Sequence, residues 1–364
     1  MQKSFLLVAV ILLFSCQKKD NNKKDTSFNR AELLKQAAEH MIMPALDNVK
    51  SSVLELQEAI TIFANSPNVA SLATAQEKWK LLAISWQSVN MYNFGPAGEM
   101  GINKSLNEEA ASFPVNATKI ENYVLAKDAS FNNFDRDARG LFAIEFLLFG
   151  LNQTPEEVIA TFNKDSFRAS YLLASTNKLS QQINQVQQAW ETNYSKEFVS
   201  NAGTDIGSSI SLYYNDFLKS YEGLKNFKFG IPLGLRPGQT SPLPQNVEAY
   251  YSGISLQLAK AHWQQIKNIW EGRGLNGVDG IGFKEYLESV SGGQELIVAT
   301  QKQMAAIDQA FAALPDKPLS KAITEDFEKV NLVHTEMQKH TRFFKSDLSS
   351  LIGIAITYSS GDGD

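Results

Sequence analysis

The chain has 364 residues, 43% hydrophobic and 20% charged, with a formal net charge of −5. This is a globular composition, long enough for two cores, and it lacks the clustered Lys and Arg of a nucleic-acid-binding surface. A single cysteine, Cys16, excludes disulfides and thiolate metal clusters.

In chain order, Lys3 and the apolar run Phe5 to Phe14 read as a short secretory signal over 1–15, too short to span a bilayer. It ends in Leu13-Phe14-Ser15-Cys16, which resembles a bacterial lipobox, so Cys16 is the expected lipidation site. The mature chain is then held to the membrane by an N-terminal lipid anchor. Residues 16–27 are a polar tether without a packed core. Gln at position 17, rather than Asp, points to the outer membrane, with either face open.

From residue 28 onward, 3.6-residue periodicity and few β-branched runs give an all-α body. Helices are expected at 28–64, 69–93, 117–127, 135–149, 155–162, 166–200, 205–226, 245–271, 281–290, 293–313 and 319–350. Pro44 should kink the first of these or start a new segment. Two stretches interrupt the pattern. Residues 94–116 are irregular, and loops of that length are more often functional than neutral. Residues 229–245 carry Pro232, Pro237, Pro242 and Pro244 and form a domain connection or a crossover loop. The tail 352–358 alternates and is the one candidate for extended chain.

Leu72, Trp79 and Trp86 lie seven apart, as do Leu256, Trp263 and Trp270, with a constant offset of 184. Either the chain duplicates a helical bundle, or two independent helices each bury a Trp stripe; the stripes are core in both cases. We divide the body into helical-bundle domains at 28–228 and 229–364, a pseudo-duplication of a four-helix bundle.

The most informative stretch runs from Asp135 to Gly150. Eight of the nine residues from Leu141 to Phe149 are apolar, and the exception is Glu145. A helix apolar all round is buried. An ionised carboxylate there costs several kcal/mol in order of magnitude unless a cation, a metal or donors meet it. Glu145 therefore has a partner or a raised pKa, as part of a structural ion pair or of a functional site. Gly140, read as lying inside the helix, suggests a close approach to its backbone. Arg139 is the nearest cation in sequence, but it lies about 240° round the helix from Glu145 unless the helix starts after it.

Other motifs fail on context. Gly272-Arg273-Gly274-Leu275-Asn276-Gly277 matches G-x-G-x-x-G but follows a helix, so it reads as a helix–helix loop. None of the four histidines (His40, His262, His334, His340) sits in H-E-x-x-H or Glu-x-x-His. Glu336 and His340, at i and i+4, read as a surface pair.

The segment Gly140-Leu141-Phe142-Ala143-Ile144-Glu145 resembles the G-x-H-x-x-E signature of the imelysin-like family with its histidine replaced by Phe142. Met43-Pro44, Phe94-Gly95-Pro96, Phe113-Pro114-Val115, Pro232-Leu233-Gly234, Glu248-Ala249-Tyr250-Tyr251-Ser252 and Gly280-Ile281-Gly282-Phe283 agree in order. The resemblance implies a two-domain helical protein of the bacterial envelope, related to a reported metallopeptidase and to iron-regulated and iron-uptake proteins.

Phenylalanine ligates no metal and carries no proton. Glu145 alone is a poor zinc site, since such sites take three protein ligands. The leading expectation is a non-catalytic envelope lipoprotein that binds a ligand in iron- or haem-related nutrient acquisition, with an outer-membrane receptor or transporter as partner. The alternatives are a metallopeptidase in which Glu145, Glu248 and a histidine hold iron or another divalent metal, and a structural lipoprotein. The candidate ligand-binding residues are Glu145, with Gly140 and Phe142 shaping the pocket, then Arg139, and Glu248 and Ser252 from the family-like second segment. Asp362 and Asp364 read as a solvated acidic end.

Overall fold

The computed structural model describes residues 28–358, and every regular element among them is helical. The expectations for the signal segment, Cys16, the tether, Asp362 and Asp364 fall outside the described residues.

In the N-terminal half, Met43–Asn65 packs along both Val69–Trp86 and Phe167–Ala189. Between the last two lies Gly140–Phe149, the helix that carries Glu145. In the C-terminal half, Gly293–Ala312 packs on Phe327–Arg342, and Ser209–Gly223 packs on Ser255–Glu271. Ser209–Gly223 continues without a break into the π-helical turn Leu224–Gly230, so one helix runs through residue 228. Its Tyr221 hydroxyl donates to the Met337 carbonyl at 2.8 Å, and Tyr214 donates to the Phe344 carbonyl. Trp79, Trp86, Trp263 and Trp270 are all buried, which makes both tryptophan stripes core.

Pro44 acts as expected, by a specific route. Proline has no N–H, so the carbonyl four residues earlier, on His40, loses its usual helical partner. The helix answers with a π-helical segment at Ala37–Ile42, and the His40 carbonyl accepts from Leu275 N–H at 3.1 Å. Gln36 Nε2 donates to the Gly272 carbonyl at 2.8 Å beside it. The glycine-rich 272–282 loop is thus a strap over the first helix. A Cβ at Gly274 would press on His40, and one at Gly280 would press on Gln36.

Several elements differ from expectation. The 94–116 stretch holds a helix, Leu106–Ala111, whose only buried residues are Leu106 and Ala110. Its single i, i+4 pair is too short to register as periodicity. The helix expected at 135–149 begins at Gly140, after the 3₁₀ turn Arg136–Ala138, and Arg139 is extended. The helix expected from 245 begins at Ser255, and 247–253 is a turn with Ala249 at φ +53°. His340 and Glu336 are not a surface pair. His340 is fully buried beside Tyr221 and Phe344, and burial pushes it down to about 3, while Glu336 meets Lys339 and Gln303. The tail after Ile352 is irregular with no strand, held where Asn215 accepts from Thr357 N–H at 2.7 Å.

Candidate functional site

Gly140–Phe149 is a short helix with buried ends, so its terminal groups need partners. Ser175 Oγ accepts from Gly140 N–H at 3.3 Å, and Gln76 Nε2 donates to the Leu148 carbonyl at 2.8 Å. Trp79 Nε1 donates to the Leu141 carbonyl at 2.8 Å. Gly140 is the first residue of the helix, not an interior one. At φ +79° it takes a conformation L side chains avoid, and a Cβ there would run into the Ala110 carbonyl. Its role is close packing against Leu106–Ala111, and it lines neither cavity described below.

Arg139 also lies away from Glu145. Because the helix starts after it, its guanidinium turns back to form a forked pair with Glu109 at 2.9–3.1 Å and donates to the Asn133 carbonyl at 2.8 Å. Arg136 reaches the same Glu109 at 2.7 Å. The cation expected for Glu145 is thus a clamp on the neighbouring short helix.

Glu145 is 1% exposed. Its Oε1 accepts from the backbone N–H of Ser252 at 2.7 Å, so Ser252 contributes its main chain. Burial pushes Glu145 up to about 8. The Ser252 N–H opposes that rise and the charge of Glu248 adds to it. Phe142, also buried, stands edge-on to Trp79 and Phe113, so an apolar ring lies one turn from Glu145 on its helix. Glu145 and Phe142 line a cavity of about 310 Å³ with Phe113, Tyr250 and Tyr251.

Phe113 also lines a second cavity, of about 390 Å³, with Trp86, Asn90, Asp216, Glu248 and His262. Glu248 does not share a helix face with Ser252, because both sit in the 247–253 turn. That turn sends the Ser252 N–H to Glu145 and the Glu248 carboxylate to Lys228 Nζ, 2.7 Å away. Lys228 and Glu248 are both buried, and Gln87 closes the set, accepting from Lys228 at 2.6 Å and donating to Glu248 at 3.3 Å. Burial holds Lys228 below its ordinary value, against the pull of Glu248.

His262 Nε2 lies 2.7 Å from Ser220 Oγ, and burial with nearby Lys228 keeps the ring well below its ordinary value, hence neutral. Asp216 accepts from Asn93 N–H and is pushed up to about 6 by burial. Sequence reasoning missed Lys228, Gln87 and Asp216.

The donor set does not suit a resident metal. Among the described residues no group of three or more His, Cys, Asp and Glu is placed to hold an ion. Glu145 faces a backbone N–H, Glu248 faces Lys228, and His262 faces Ser220. The set of Glu145, Glu248 and a histidine is therefore divided among other partners.

The family model described as Imelysin matches residues 42–341. The chain belongs to the imelysin family. It is 21% identical over 290 residues to iron-regulated protein A of Synechococcus elongatus, covering 76% of this chain and 74% of that protein. Two crystal structures share the fold. An iron-regulated protein A precursor from Parabacteroides distasonis superimposes with a TM-score of 0.74 at 16% identity. An imelysin-like protein from Psychrobacter arcticum does so with a TM-score of 0.72 at 18% identity. Each alignment covers 91% of this chain and 97% of the other. The all-α imelysin fold is thus established.

Proposed function

We propose that this imelysin-family protein is an exported, non-catalytic binding protein that holds a ligand in the paired cavities around Glu145 and Glu248 and serves iron- or haem-related uptake. The observation that carries this reading is the environment of Glu145: a buried carboxyl on a backbone N–H, with Phe142 where a metal-binding or proton-carrying ring would stand. At neutral pH such a carboxyl is mostly protonated, so it offers a hydrogen-bond donor to a ligand in an apolar cavity. The names of the Synechococcus and Parabacteroides relatives support the link to iron, and "precursor" in the latter supports export.

The test is titration with haem and with ferric citrate, read by tryptophan fluorescence, since Trp86 lines one cavity. Binding is expected in the wild type and in Glu145→Gln, and a loss of about tenfold or more in Glu145→Ala, equivalent to about 1.4 kcal/mol. No binding of either compound, or zinc-dependent peptide hydrolysis by the wild type, overturns the reading.

The proposal includes a lipid on Cys16 and an outer-membrane receptor or transporter as partner. No helix among the described residues is long and apolar enough to cross a membrane. Incorporation of an alkyne-labelled fatty acid in cells is expected for the wild type and not for Cys16→Ser. Equal labelling of both would exclude the anchor.

A further inference from the structure

A third cavity, of about 460 Å³, lies in the N-terminal half, and Phe146, the residue after Glu145, forms part of its wall. Leu151 is the one lining residue it has in common with the Glu145 cavity, and it shares none with the Glu248 cavity. Four helices meet there. Glu121 and Leu125 come from Ala117–Ala126, Phe146 from Gly140–Phe149, Lys164 from the end of Pro155–Lys164, and Arg168 from the first turn of Phe167–Ala189.

Arg168 is the unusual member of this lining. It is 6% exposed, and its guanidinium lies over the Phe162 ring at 5.5 Å and the Phe146 ring at 5.8 Å from the centroids. Both ring faces attract a cation. Glu121 meets the group at one end only: its two carboxylate oxygens accept from Nη1, at 2.8 and 2.9 Å. Nε is buried and has no hydrogen-bond partner among the described residues. A buried N–H without an acceptor is destabilising, so its presence here points to an acceptor from outside the chain. Two further observations narrow what that ligand is. The charged lining residues are Lys164 and Arg168 against Glu121 and Asp165, so the signs balance. A bare anion would meet both carboxylates, and a bare cation both basic groups. The rest of the wall includes Val124, Leu125, Phe146 and Leu151, of which Leu125 is 78% exposed and Leu151 53%.

We propose that this cavity binds a small zwitterion of the amino-acid type with an apolar side chain. Arg168 and Lys164 take its carboxylate, Glu121 and Asp165 its ammonium group, and Leu125, Phe146 and Leu151 its side chain. A planar guanidinium pairs with carboxylate oxygens two at a time through a free edge, whereas the lysine acts as a point charge. Glu121 keeps lone pairs for an ammonium while it holds Nη1, since an ionised carboxylate accepts several hydrogen bonds. The volume is that of an ordinary small-molecule pocket. The site is separate from the Glu145 and Glu248 cavities, so its ligand and theirs are bound or lost independently.

The full chain is titrated calorimetrically with leucine and phenylalanine, and with two analogues of leucine: 4-methylpentanoate, which lacks the amine, and 3-methylbutylamine, which lacks the carboxylate. At least one amino acid is expected to bind, and each analogue should bind about tenfold or more weaker than leucine. Arg168→Lys keeps the charge but loses the fork, and should weaken amino-acid binding about tenfold or more. The exposed Lys164→Gln should weaken it by a smaller factor while haem binding and melting temperature stay unchanged. If Arg168→Lys does not fold, Lys164→Gln alone carries the test. Failure of the wild type to bind either amino acid, an analogue that binds as tightly as leucine, or equal binding by wild type and variants overturns the proposal. Absence of haem binding alongside amino-acid binding would count against the Glu145 site and leave this one standing.

Discussion

At pH 9 the Glu145→Gln protein is expected to be more stable than the wild type by up to about 4–5 kcal/mol, and at pH 4 the two should converge. The sign follows from where the proton sits. Glu145 is held near 8 in the folded protein, against an ordinary value of 4.5, because burial and the charge of Glu248 disfavour its ionised form. Between those two values the folded state keeps a proton that the unfolded chain has released. Wild-type stability is therefore complete below about pH 4.5, declines through the window, and levels off above pH 8. Glutamine is neutral throughout, and its oxygen can still accept the Ser252 N–H. Urea unfolding of both proteins across this range measures the difference, in which all other titrating groups cancel. Parallel curves would show that Glu145 ionises normally in the fold.

Lys228→Met is expected to cost about 3–5 kcal/mol, because it leaves the buried Glu248 without its cation. Glu248 is 4% exposed, and the Gln87 amide at 3.3 Å is a weak substitute for an ammonium at 2.7 Å. A loss of that size is a large share of the stability of a typical domain. The informative comparison is the double variant Lys228→Met with Glu248→Leu, which removes both charges from an enclosed site. It should recover much of the loss, since an apolar pair is often as stable as the ion pair it replaces. A shift in the urea midpoint at unchanged slope reports stability alone. If the single variant unfolds at the wild-type midpoint, water reaches Glu248 and the pair is not sealed.

The contrast between Glu145 and Lys228 shows how far the sequence can be read. Glu145 stands out because its neighbours on all sides of one helix are apolar, so burial and a raised pKa follow from the local pattern. Its true partner, a backbone N–H in the 247–253 turn, carries no residue signature. Ser252 was carried over with the family-like segment, and it meets Glu145 through its backbone amide. Lys228 and Gln87 become partners of Glu248 only through tertiary folding, Lys228 from the end of the preceding helix and Gln87 from 161 positions away. Arg139 illustrates the opposite failure. Its reading turned on where the helix begins, and that is set by a left-handed Gly140 pressed against Ala110, a contact no periodicity reveals. The long helices, the Trp stripes and the helix–helix character of the glycine-rich loop were legible because each depends on repeating faces or on failed local context. The Leu106–Ala111 helix was not, being barely longer than one turn.

The strap over the first helix carries a mechanical consequence. Leu275 and Gly272 grip His40 and Gln36, residues whose partners lie 236 positions away in the case of Gln36. Tension applied near residue 28 would load the far end of the chain at once. A pull on the leading end would therefore be felt in the C-terminal half through the Gln36–Gly272 and His40–Leu275 bonds.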